Sequence, residues 1–227
     1  MKSLRYLMCA VVVSGVLGFA SAAFAQANAQ PAGQKMAGMD HSQKTPAPKS
    51  EAQVSFDTMK ASLAGEWEGR IRTDMPEEIK KQFGATDDKL NTPLHLTMRV
   101  TSRGHLLVHE FQEAGTPLDA TKYDHPVTMI YVDADKLNLI HYCDAGNRPR
   151  MLARVSPDGK TMEFDFADLS GSDRSGHMHH AKFTVVDANH HIEEWTYMLP
   201  NNMAIHAKFE LHRVNGGMAG VVSGGGQ

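Results

Sequence analysis

Ile205-His206-Ala207-Lys208-Phe209-Glu210-Leu211-His212 places an apolar residue at every second position and a polar or charged one between. Side chains alternate faces along a β-strand, so this octapeptide puts one face in a core and the other in water. The same code recurs upstream. Trp67 and Ile71 alternate with Glu66, Glu68, Arg70 and Arg72. Leu94, Leu96, Met98 and Val100 alternate with His95, Thr97 and Arg99, and Met162, Phe164 and Phe166 alternate with Glu163 and Asp165. Read this way, the chain holds strands at about 65–73, 93–102, 105–113, 127–134, 136–144, 150–156, 161–169, 177–187, 191–199 and 203–214. Turn chemistry separates them at Ser102-Arg103-Gly104, Asp133-Ala134-Asp135, Pro157-Asp158-Gly159-Lys160 and Pro200-Asn201-Asn202.

A sheet with one apolar face must cover that face, and an up-and-down antiparallel sheet does so by closing on itself. The expected fold is all-β: one up-and-down antiparallel barrel of about ten strands, with a two-sheet sandwich as the alternative. Phe56, Met59, Lys60 and Leu63 recur at helical spacing and predict a short helix before strand one. Pro76–Phe83 predicts a second short helix, capped by Asp74, which would form a lid over the barrel mouth.

The N-terminus reads differently. Lys2 and Arg5, an apolar run from Tyr6 to Phe19 and Ala23-Phe24-Ala25 make a secretory signal peptide over residues 1–25. The expected location is therefore periplasmic or secreted. Residues 26–53 lack large apolar side chains and read as a disordered tether, 54–214 as the barrel, and 215–227 as a Gly-rich disordered tail. Cleavage removes two of 23 basic residues and none of 26 acidic ones, leaving a formal charge of −5. That balance excludes a basic nucleic-acid-binding surface. No second apolar stretch is long enough to span a membrane. Oligomeric state is not legible.

Gly65-x-Trp67 opening the first strand and Arg213 closing the last resemble the calycin superfamily of lipocalins, fatty-acid-binding proteins and nitrobindin-like barrels. The similarity extends in layout over residues 56–214 and is nearest to exported bacterial barrels of unassigned function. It implies that Trp67 closes one end of the barrel with Arg213 packed across it, and that the barrel holds a ligand cavity. A cation–aromatic contact of that kind contributes on the order of 0.5–2 kcal/mol.

Several polar residues share inward parity. His177 and His179 match Ala181, Phe183 and Val185; His141 and Cys143 match Leu137 and Leu139; His109 matches Leu107 and Phe111. With Trp195 and Tyr197 they form the expected lining of a cavity for a small-molecule ligand. His177, His179 and His141 are the candidate metal ligands, since imidazole and thiolate suit zinc or copper. Hydrogen-bonded histidines in a polar cavity are the alternative, because a buried polar group without a partner costs roughly 2–7 kcal/mol. Glu193 shares a face with Trp195 and Tyr197 and could orient a histidine, while Asp187–His190 reads as a turn. Nitrobindin-like barrels ligate haem through a late-strand histidine, and His206 is loosely similar, but its parity with Lys208 and Glu210 points it outward. Met36, Met39 and His41 form a soft-donor cluster in the tether. No Gly-x-Ser-x-Gly elbow, His-Glu-x-x-His helix or phosphate loop is present. A binding protein is the first expectation, a metal- or haem-dependent redox or isomerase-type enzyme the second, and a structural or envelope-interaction protein with a filled barrel the third.

Overall fold

Ten strands alternate in direction and close: in the computed structural model, which describes residues 48–214, the order around the barrel is β1-β10-β9-β8-β7-β6-β5-β4-β3-β2. The strands are β1 Gly65–Asp74, β2 Asn91–Thr101, β3 Leu106–Glu113, β4 Val127–Asp133, β5 Lys136–Tyr142, β6 Arg148–Val155, β7 Thr161–Ser170, β8 His177–Asp187, β9 His190–Met198 and β10 Ala204–Arg213. Every neighbouring pair is antiparallel, and β1 meets β10 in the register Trp67↔Arg213 through Asp74↔His206. The barrel is the up-and-down form that the alternation implied. The signal peptide and the Gly-rich tail lie outside the described residues, as does most of the tether.

Alternation becomes burial directly in β10, where Ile205, Ala207, Phe209 and Leu211 are buried and the residues between them exposed. The core runs through Trp67, Leu96, Met98, Leu107, Ile130, Leu139, Phe164, Phe183 and Phe209. Each large side chain removed fully from water contributes about 1.5–3 kcal/mol. Gly69 is required at the β1–β10 seam: a Cβ there would run into the backbone carbonyl of Glu210.

Helix α1, Glu51–Leu63, closes the end where β1 begins. Ser50 caps it by accepting the Gln53 N–H, and Phe56, Met59 and Leu63 drop into the core. The helix starts three residues inside the stretch that composition assigned to the tether. Trp67 is buried beneath it and donates its indole N–H to Leu63 O at 2.9 Å. The Arg213 guanidinium lies 4.1 Å from the Trp67 ring centre and donates to the carbonyls of Ser62, Ala64 and Ala188 at 2.8, 2.8 and 2.9 Å. One side chain thus ties helix, first strand, last strand and the β8–β9 turn together. A Cβ at Gly65, whose φ is +141°, would strike that guanidinium, which is the physical reason for glycine two residues before the tryptophan.

Helix α2, Glu77–Phe83, follows β1 and buries Ile79. Its N-cap is Pro76 with no side-chain hydrogen bond, so Asp74 does not cap it as expected; Asp74 instead ends β1 opposite His206. Gly84 closes the helix in the left-handed conformation. A 3-10 turn at Asp87–Leu90 leads into β2. Among the described residues no helix is long and apolar enough to cross a membrane.

Candidate functional site

Strand register places a polar row inside the apolar barrel. His109 stands opposite Thr128, and Thr128 opposite His141, across β3, β4 and β5. Directly opposed residues share a face, so all three point inward and all are buried. Across the barrel, β9 presents His191, Glu193 and Trp195 at alternate positions, each at most 2% exposed.

These two rows meet. Glu193 Oε2 lies 3.0 Å from His109 Nε2, and Oε1 lies 3.0 Å from His191 Nε2. Trp195 donates its indole N–H to Oε2 at 2.9 Å. A carboxylate without water is costly, and three donors converging on it supply the compensation. Burial pushes the Glu193 pKa up, but the charge and hydrogen bonds of His109 and His191 outweigh burial and hold it at about 2. The buried acid is therefore an anion, and its bonds fix both histidine rings.

His141 sits above this cluster with its ring 5.5 Å from that of Trp195 and its Nδ1 2.9 Å from Thr128 Oγ1. Burial, reinforced by the charge of His109, pushes its pKa down to about 3. It is a neutral core histidine. Three ring nitrogens, His109 Nδ1, His141 Nε2 and His191 Nδ1, have no hydrogen-bond partner among the described residues.

His177 and His179 occupy another place. A register shift between Met178 and His180 interrupts the β8–β9 ladder, so the parity that runs from Phe183 to Ala181 does not continue through them. Met178 is buried instead, and both histidines are half-buried against Phe166, at ring distances of 4.5 and 5.1 Å. His177 Nε2 is 3.2 Å from His179 Nδ1. Burial, and then the neighbouring His179, lower the His177 pKa. The structure brings these two together but does not bring His141 into a three-ligand group with them. Tyr197 donates its hydroxyl to Ser175 O at 2.6 Å, and Cys143 is half-buried at the core edge. His206 points outward on β10, 3.1 Å from Thr196 Oγ1, as its parity required.

Open space lies at the end of the barrel opposite α1. A cavity of about 430 Å³ has Ile71, Leu90, Leu94 and Phe111 as its apolar floor. Its polar walls include Gln112, Glu113, Asp88, Lys89 and Asp124. None of the seven residues expected to line a cavity touches it. The ends of β1, β2 and β3 line it together with the 3-10 turn and the 114–126 loop. Asp124 is its notable wall residue: Oδ2 is buried with no hydrogen-bond partner. Burial raises the Asp124 pKa to about 6, against backbone N–H bonds from Asp144 and His125 that lower it.

No known family and no curated protein matches the chain. Solved structures do. Rv2717c from M. tuberculosis is 13% identical, with a TM-score of 0.48 over 69% of this chain and 97% of its own. A DUF3598-family protein of unknown function from Nostoc punctiforme is 12% identical, with a TM-score of 0.43 over 68% of this chain. The chain spans 48% of the length of that second protein.

Proposed function

We propose that this protein is an exported, calycin-like barrel that binds a small amphiphile with a cationic or donor-rich head at its mouth. The observation that carries this reading is the unpartnered Asp124 Oδ2, buried in the wall of a cavity whose floor is apolar. A buried acceptor left empty costs about 1–3 kcal/mol, and a ligand ammonium or N–H group would relieve that cost. Charge favours the same head group: Asp88, Glu113 and Asp124 face the cavity against one lysine, Lys89. The apolar body would lie on Ile71, Leu94 and Phe111. A cavity of about 430 Å³ is within the range of sites that enclose small molecules. The filled interior supports binding at the mouth, with the histidine–glutamate cluster holding the barrel beneath it. The leader-like N-terminus supports action outside the cytoplasm.

Dansylcadaverine, an aromatic amine, tests the site. It is expected to bind one per chain with a blue-shifted emission. Asp124→Asn should weaken binding by about tenfold, the equivalent of one charge-assisted contact. Leu90→Trp, which fills the cavity from the 3-10 turn, should abolish it. Wild-type affinity should also fall as pH drops below about 6, where Asp124 takes up a proton. Absence of saturable binding, or binding indifferent to both substitutions, would refute the proposal. Fractionation of the native host should place the mature chain outside the cytoplasm.

A further inference from the structure

The outer face of the barrel carries a second set of donors, far from the mouth. Asp187 and His190 close the β8–β9 hairpin around a two-residue turn, so His190 is the first residue of β9 and not part of the turn, as the sequence had suggested. Register then sets His190 opposite His212 of β10. Their rings stack at 4.5 Å between centres and 20° between planes. Glu210 precedes His212 by two residues and so shares its outward face. Its Oε1 lies 3.6 Å from His190 Nε2. That Nε2 is buried and has no hydrogen-bond partner.

We infer that His190, Glu210 and His212 form a site for a divalent transition-metal ion, zinc in the first instance. One ligand atom from each lies within 4.8 Å of the other two. Donors about 2.0–2.2 Å from zinc in a tetrahedron stand roughly 3.3 Å apart, so small rotations of exposed side chains complete the geometry. Two imidazoles and one carboxylate are a familiar donor set for zinc. The surroundings favour a cation. Glu68 stands opposite His212 on β1. Arg70, the cation opposite Glu210, is drawn towards β2, where it donates to the side chain and carbonyl of Asn91 at 2.8 and 2.6 Å. The fourth position remains for water. Among the described residues this is the one group of three or more His, Cys, Asp or Glu donors so placed. It is distinct from the histidines that the sequence nominated.

The test uses the full chain, stripped with chelator and titrated with zinc chloride alone. Calorimetry should show one zinc per chain on this site, and zinc should raise the melting temperature, because an ion that binds only the folded state stabilises it. His212→Asn, at an exposed position, should keep the apo melting temperature while weakening zinc binding more than tenfold. Glu210→Gln should weaken it several-fold, and His206→Asn, exposed on the same strand outside the trio, should leave it unchanged. Zinc affinity and thermal gain unaffected by His212→Asn and Glu210→Gln would overturn the assignment, as would a wild-type chain that binds no zinc.

Discussion

His141 makes the barrel acid-sensitive by an amount that can be worked out in advance. In the unfolded chain its imidazole titrates near 6.5, whereas in the barrel burial holds it down at about 3. Because the folded pKa is the lower one, the unfolded state binds the proton first. Stability attributable to this group is complete above about pH 6.5 and declines as the pH falls towards 3. Between about pH 7 and about pH 5 the loss is roughly 2 kcal/mol, at about 1.4 kcal/mol per unit beyond the unfolded pKa. The informative perturbation is His141→Asn. Its amide oxygen can still accept from Thr128, but it carries no titratable proton. Urea denaturation of both proteins at the two pH values forms a cycle in which the cost of the smaller side chain cancels, as do other groups such as His177. The wild type should lose about 2 kcal/mol more than the variant, or roughly 4–8 °C in melting temperature for a domain of this size. Equal losses in the two proteins would show that His141 is not a buried neutral base, and the reasoning would fail.

Two further outcomes follow from the same core. Glu193→Ala removes the acceptor shared by His109, His191 and Trp195, leaving three buried donors without a partner. It should cost about 3–5 kcal/mol in chemical denaturation, and a loss under about 1 kcal/mol would contradict the described network. Gly69→Ala should disrupt the β1–β10 seam, since its methyl group meets the Glu210 carbonyl. Soluble protein with unaltered amide protection in β1 and β10 would show that the seam tolerates a side chain there.

Much of this architecture is written in period-two alternation, which is local and therefore legible. The stretch 177–187 coincides with β8, and 161–169 falls one residue short of β7. The pairing of Trp67 with Arg213 was an expectation from the family resemblance of Gly65-x-Trp67 and Arg213, and parity agreed with it, since Arg213 shares a face with Leu211 and Phe209. The candidate site was less legible, and the reasons are particular. Parity carries His177 and His179 inward only if the strand is regular. The irregularity at Met178–His180 has no turn residue or glycine to announce it, and Gly176 lies just before the strand. His191 was legible by parity, since it opens the strand read at 191–199 and shares a face with Glu193 and Trp195, yet it was not among the nominated residues. Glu193 was recognised as an acid beside inward aromatics, but its three donors come from β3 and β9 together, a pairing that no local pattern encodes. The mouth cavity is harder still. Strand ends of β1, β2 and β3 supply part of its lining, but the rest, Asp124 included, comes from the 114–126 loop and the Asp87–Leu90 turn, where no periodicity exists to read.

The pairing of β1 with β10 has a consequence for how the protein comes to exist. Nearly the whole barrel sequence separates Trp67 from Arg213, so the contact that shuts the cylinder has about the highest sequence separation the fold allows. Such topologies have high contact order and fold slowly, because chain-closure entropy is lost before the distant contact repays it. A nascent chain that stops short of Ala204, and so lacks β10, would expose two unpaired edges, those of β1 and β9, each able to recruit a strand from another molecule. Truncation within β10 should therefore produce aggregates in place of a smaller barrel. Conversely, the proximity of the two ends makes the β4–β5 hairpin a natural place to cut and rejoin the chain in a circular permutant.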